Sequence, residues 1–168
     1  MMNGSNTELK DRLRSDRAFS LLRSAEEAAQ FIQDGMTVGV SGFTPSGYPK
    51  AVPLALAERG RCGETIKIDL YSGASVGPEI DTELTEAGMI KKRLPYHTNS
   101  VIRDKINRGE IDYVDLHLSQ STQYLNYGVL NKIDVAIVEG LAVTGEGHIV
   151  PTTSIGNSPS FIKNADKV

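Results

Sequence analysis

The residues best suited to chemistry lie in Gly73-Ala-Ser-Val-Gly77, which has the G-x-S-x-G spacing of a nucleophile elbow. In such an elbow a sharp strand-to-helix turn exposes the serine hydroxyl, so Ser75 is a candidate nucleophile. It would need a base, His117 or His148, and an acid, Asp115 or Asp134 in the usual order with His148. Two other carboxylates stand out. Glu79 opens a helical stretch, where a negative charge is favoured by the helix dipole. Glu139 ends an apolar run, and partial burial there would raise its pKa. Its plainer role is that of a structural acid bonded to loop N–H groups. Gly42-Phe-Thr-Pro-Ser-Gly47 has P-loop glycine spacing, but Tyr48 and Pro49 follow where Lys and Ser/Thr would have to stand. The dinucleotide fingerprint G-x-G-x-x-G is missing from the first strand–helix turn. His97, His117 and His148 are scattered, with no pair at metal-ligand spacing. Cys62 is the single cysteine, so no intrachain disulfide is possible, and nothing near it supplies a base.

These residues need elements to position them, and the chain alternates. Ser24 and Glu27 have capping-box spacing, opening a helical stretch that ends at Gly35. The runs 36–40, 66–71, 113–118 and 134–139 have strand chemistry, with a short strand over 148–150. Helical patterns cover 49–59, with Pro53 inside, and 79–87, 99–108 and 158–165. Strands alternating with helices predict an α/β fold, a mostly parallel sheet with helices on both faces. Runs such as Val135-Ala-Ile-Val138 fit strands buried on both sides. In an open parallel sheet ligands bind beyond the carboxyl ends of the strands. The segments expected there are 41–50, 72–78, 119–122, 139–141 and 151–158, which are rich in Gly, Ser and Thr. Glycine allows close approach to a ligand, and helix starts offer N–H groups to anions. A cleft for a phosphate- or carboxylate-bearing ligand is the expectation.

Composition narrows the class. The chain has 168 residues, a net charge of −3 and 39% apolar residues, as an ordinary globular domain would. There is no basic excess for nucleic acid and no apolar run long enough for a transmembrane helix. Residues 1–23 read as a charged leader, with acids among its arginines and no apolar centre, which points to the cytoplasm. Residues 24–168 read as one domain whose alternation looks cut at its end rather than finished.

Several long segments carry a family likeness. Val38-Gly-Val-Ser-Gly-Phe-Thr-Pro-Ser-Gly-Tyr-Pro-Lys-Ala-Val-Pro53 is similar to the amino-terminal motif of acetyl-CoA hydrolases/transferases, including the succinate-linked CoA-transferases. Ser72-Gly-Ala-Ser-Val-Gly-Pro78, Asn107-Arg-Gly-Glu110 with Asp115-Leu-His-Leu118, and Ile149-Val-Pro-Thr-Thr-Ser-Ile-Gly-Asn-Ser158 resemble the family in the same order. The resemblance implies a NagB-like fold made of two α/β halves with the active site between them. It implies CoA exchange between an acyl-CoA and a small carboxylate, or hydrolysis, through a glutamate that is acylated and then carries CoA. Coenzyme A is a substrate there, no metal or organic cofactor is needed, and the full-length enzyme is commonly a homodimer. The glutamate belongs to the second half, so this chain is expected to hold the first-half wall of the cleft and no certain catalytic residue. The residues that the resemblance places there are Gly42, Phe43, Gly47, Gly73, Ala74, Ser75 and Asn157, with Glu139 a further acid to watch. Ser75 would lie near the acyl or carboxylate group. Two other readings stay open: a self-sufficient serine thioesterase using Ser75, and a non-catalytic CoA-binding or assembly module.

Overall fold

Local sequence explains most of the helix boundaries. In the computed structural model, which describes residues 9–168, helix α1 spans Asp16–Ser20 and α2 spans Ala25–Ala29. The α2 capping box forms: the Ser24 hydroxyl accepts from the Glu27 N–H, and the Glu27 carboxylate accepts from the Ser24 N–H. Helix α3 is Ala51–Arg61, and Pro53 fits in its first turn, where no intrahelical N–H bond is lost. The predicted helix over 79–87 is two short ones, α4 (Pro78–Asp81) and α5 (Glu83–Glu86). Next come α6 (Ser100–Asn107), α7 (Leu118–Asn126) and α8 (Ser158–Lys163).

The strands are β1 (Thr37–Val40), β2 (Ile68–Tyr71), β3 (Ile90–Leu94), β4 (Asp112–Tyr113), β5 (Ile133–Ile137), β6 (Gly140–Val143), β7 (Ile149–Pro151) and β8 (Ala165–Lys167). Six of them form a parallel sheet in the order β4-β3-β2-β1-β5-β8, and β6 and β7 form an antiparallel hairpin beside it. The α/β expectation is thus met. Several expectations fail locally, beginning with the helical stretch expected from Ser24 to Gly35, whose helix stops at Ala29. The predicted strand over 113–118 shrinks to β4, because His117 caps α7: its ring nitrogen accepts from the Ser119 N–H, and Leu118 begins the helix. Accordingly 119–122 is helix rather than a loop following a strand. Strands β3, β6 and β8 were not anticipated, and the helix expected over 158–165 ends at Lys163, ahead of β8.

Alternating side chains split the core between the two faces. Val38, Val40, Ile68, Leu70 and Ile90 pack under Leu56, Ile80, Leu84 and Ile102 on one side. Tyr71, Leu94, Ile133 and Ala136 pack with Leu125 and Phe161 on the other. From β1 the chain steps outward through β2, β3 and β4. It then returns to the opposite flank of β1 with β5. That reversal makes the carboxyl ends of β1 and β5 a topological switch point, the position where open α/β sheets form a crevice.

Candidate active site

Three loops meet at the switch point: 41–50 after β1, 72–77 after β2, and 138–139 after β5. The segment 152–157, between β7 and α8, closes over them. Ser41 is fully buried, and its hydroxyl accepts from the Asn157 N–H at 2.7 Å. The Asn157 side-chain amide donates to the Ser121 hydroxyl at 3.2 Å and, more weakly, to the Ser72 carbonyl at 3.4 Å. Gly156 has φ +52° and lies so close that a Cβ there would stand 2.7 Å from the Gly42 carbonyl oxygen. The Ser154 hydroxyl donates to the Ser46 carbonyl at 2.8 Å, and the Ser46 and Thr153 hydroxyls share a 2.8 Å bond. The segment is therefore tied to the ends of β1 and β2 by side chains more than eighty residues apart in sequence.

Glu139 takes part in the same fastening. One carboxylate oxygen accepts from the Lys50 ammonium at 2.8 Å, the other from the Thr152 hydroxyl at 2.7 Å. These two donors, Lys50 first, hold its carboxyl below the ordinary range and outweigh its partial burial. The expected upward shift is therefore corrected, because opposite charge and hydrogen bonding to the charged form beat desolvation here. Lys50 also donates to the Tyr48 carbonyl at 2.9 Å and lies 4.2 Å from the centre of the Tyr48 ring. The Tyr48 phenol is pushed up to about 12, chiefly by burial and then by its bond to Glu79.

The anticipated residues fall into two groups. Gly42, Gly47, Gly73, Ala74, Ser75, Asn157 and Glu139 all lie on the loops of the carboxyl edge or on the segment that covers them. Ser75 is only 4% exposed. Phe43 belongs to the same loop but points largely outward, 64% exposed, at a tight turn where it exchanges backbone bonds with Ser46. The bonds seen for the catalytic partners proposed for Ser75 go to other groups. Asp134 accepts from the Thr37 N–H at 2.7 Å, at the amino-terminal start of β1 and so at the wrong edge of the sheet. His117 bonds the Ser119 hydroxyl at 2.7 Å, and the His148 backbone sits in the β6–β7 turn, bonded to Thr144. Among the described residues no hydrogen bond joins Ser75 to a histidine. Sequence reasoning passed over Tyr48, Lys50 and Thr152. A signal existed for the first two in Tyr48-Pro-Lys50, which directly precedes α3 in the loop after the first strand.

The acetyl-CoA hydrolase/transferase N-terminal domain matches residues 7–168 of this chain. The chain belongs to the acetyl-CoA hydrolase/transferase family. It is 50% identical over 158 residues to the succinyl-CoA:acetate CoA-transferase of Clostridium kluyveri, covering 94% of this chain and 29% of that protein. It is 42% identical over 149 residues to the propanoyl-CoA:succinate CoA transferase of Escherichia coli, covering 86% and 30% respectively. With the acetyl-CoA hydrolase of Saccharomyces cerevisiae it shares 39% over 170 residues, 95% of this chain and 32% of that one. The chain thus spans about a third of the length of the relatives it matches. Among solved structures, RipA from Yersinia pestis superposes with a TM-score of 0.53 at 22% identity, over 78% of this chain and 29% of that one. The acyl-CoA transferase YdiF from E. coli O157:H7, solved as a thioester complex with CoA, gives 0.51 at 21% identity over 61% and 22%. These likenesses establish a shared α/β fold. No helix of the described residues is long and apolar enough to cross a membrane.

Proposed function

We propose that this chain forms the first wall of the cleft of an acetyl-CoA:carboxylate CoA-transferase of the succinate-linked type, or of an acyl-CoA hydrolase. In this reading it holds acetyl-CoA and a small carboxylate against an attacking glutamate that is not among its own residues. The observation that carries the reading is the 50% identity to a succinyl-CoA:acetate CoA-transferase across 94% of the chain. The geometry agrees with a binding role. The Ser75 hydroxyl stands on a Gly-rich loop at the carboxyl edge with no base attached, suited to donate a bond to a carboxylate or thioester oxygen. Glu139, an acid at the switch point, is occupied by Lys50 and Thr152. A carboxylate stabilised in that way is a poor nucleophile.

The chemistry balances without a cofactor. The glutamate carboxylate attacks the thioester carbonyl, the C–S bond breaks, and the CoA thiolate leaves an acyl-glutamyl anhydride. The thiolate returns to the glutamyl carbonyl and releases the acyl group as a free carboxylate, leaving a glutamyl-CoA thioester. The acceptor carboxylate then attacks that thioester, and the thiolate takes the new acyl group. In a hydrolase, water takes the last step. A cytoplasmic enzyme working as a homodimer completes the proposal, the homodimer resting on the family resemblance.

The test is CoA release from acetyl-CoA by the folded 168-residue chain, with and without succinate. No release in either case is the expected result. Release that is abolished by Ser75→Ala would overturn the proposal in favour of a serine thioesterase. CoA binding with no effect of any carboxylate would favour a non-catalytic CoA-binding module.

A further inference from the structure

Tyr48 occupies an unusual place in this site. Its side chain is wedged between the loop after β1 and the loop after β2, and only 3% of the residue is exposed. A Cβ on Gly42 would stand 2.7 Å from the Tyr48 Cβ, so the first loop folds tightly on the base of the side chain. A Cβ on Gly77 would collide with the Tyr48 hydroxyl and ring, so the second loop is pressed onto its tip. The hydroxyl donates to the Glu79 carboxylate at 2.5 Å, two residues beyond Gly77. The far end of α4 is fixed separately: Asp81 accepts from the buried Arg93 guanidinium at 2.9 Å. The loop that carries Ser75 therefore runs into a helix held at both ends, by Tyr48 at Glu79 in its first turn and by Arg93 at Asp81. The Lys50 ammonium against the ring face adds a link to Glu139 and thus to β5.

We infer that Tyr48 is a positioning residue: through its bond to Glu79 and its packing on Gly77 it sets the place and order of the loop that presents the Ser75 hydroxyl. The inference rests on the proposed role of that loop in holding a carboxylate. A core filler would need only the ring. Here the hydroxyl is engaged as well, and the glycine opposite leaves room for it.

The experiment separates the hydroxyl from the ring. Tyr48→Phe keeps the packing and removes the bond. Glu79→Gln keeps one carbonyl oxygen able to accept the bond, and Glu79→Ala removes it. Hydrogen exchange in the 168-residue chain reads loop opening without any ligand. Tyr48→Phe and Glu79→Ala should each speed exchange at the Ile80 and Asp81 amides, which donate to the Gly77 carbonyl, about tenfold, the effect of one lost hydrogen bond, with β1 and β2 unchanged. Glu79→Gln should stay within about threefold of the parent, since a neutral acceptor retains part of the bond. A merely space-filling Tyr48 would leave loop exchange unchanged in Tyr48→Phe, and that result overturns the inference. Acetate titration, followed at the same amides, tests the underlying reading. A response in the parent that weakens in Tyr48→Phe supports both. No response to acetate, with the loop still opening in Tyr48→Phe, sinks carboxylate binding but leaves the positioning role standing.

Discussion

Arg93 and Asp81 form an ion pair with both side chains fully buried, whereas Lys50 and Glu139 form one with side chains 43% and 30% exposed. Both pairs fasten loops at the carboxyl edge of the sheet. The first joins β3 to α4 in a region where water cannot compensate a missing partner. The second joins the loops after β1 and β5 at the switch point, where water and a ligand can both enter. The contrast separates what must stay fixed from what can exchange partners. A rigid anchor lies beneath the Ser75 loop, and a replaceable clasp lies at the mouth of the crevice.

The sharpest way to break the comparison is to remove one partner of the buried pair. Asp81→Ala leaves the Arg93 guanidinium without its counter-ion among apolar neighbours. A loss of about 3–5 kcal/mol is expected, enough to unfold a domain of ordinary stability. Urea unfolding followed by circular dichroism reads it. A loss under about 1 kcal/mol would mean that the site is wetter than its burial implies, and the two pairs would then differ in degree only.

The same contrast explains which parts of the molecule were legible in the sequence. Strands β1, β2 and β5 announce themselves because Val38-Gly-Val40, Ile68-Asp-Leu-Tyr71 and Val135-Ala-Ile137 are, Asp69 aside, apolar where both faces are covered. Strand β3 does not, because Ile90-Lys-Lys-Arg-Leu94 carries three cations in a row. Arg93 tolerates burial only because Asp81 waits on a different element, and Lys92 is matched by Asp69 across the strands at 3.0 Å. Helix α7 was hidden for a related reason. Its cap is a histidine instead of the usual Ser, Thr, Asp or Asn, and Asp115-Leu-His-Leu118 alternates as a strand would. At the site, the Gly- and Ser-rich loops after β1 and β2 were readable from the alternation of strands and helices, whereas 119–122 was not. The state of Glu139 was not, since Lys50 lies 89 residues away and reverses the shift that burial alone would give.

A smaller effect sharpens the comparison from the acid side. His97 follows β3, with an imidazole nitrogen, Nδ1, that is buried and has no hydrogen-bond partner among the described residues. Its ring meets the Tyr113 ring edge-on at 5.2 Å. Burial, then the nearby Arg93 and more distantly Arg103, lower its pKa, and Asp81 and a backbone contact at Asn99 oppose them only in part. In the unfolded chain the imidazole takes up its proton near its ordinary value of about 6.5, before the folded protein does. Stability is therefore unaffected by His97 above that pH and declines as pH falls through it toward the lower folded value. His97→Gln should flatten the stability-against-pH slope just below about pH 6.5. An unchanged slope would place the ring in water and detach it from the buried pair.

The smallest effect belongs to the clasp. Lys50→Ala should change stability by no more than about 1 kcal/mol, because a half-exposed pair gains little over solvation by water. Its mark should be on titration instead. With Lys50 present, the Glu139 carboxyl is held below its ordinary value, so its contribution is complete above the unfolded pKa and is lost as pH falls through the folded one. In Lys50→Ala the first of the two lowering causes is gone, and the Glu139 midpoint, followed by carboxyl carbon NMR, should move up toward the ordinary range while the Thr152 bond retains part of the shift. If acetate or acetyl-CoA moved that midpoint in the parent chain in the same direction, Lys50 would be exchanging Glu139 for the ligand carboxylate or phosphate. A midpoint indifferent to both the substitution and the ligands would make the clasp as static as the buried pair, and the contrast drawn between them would fail.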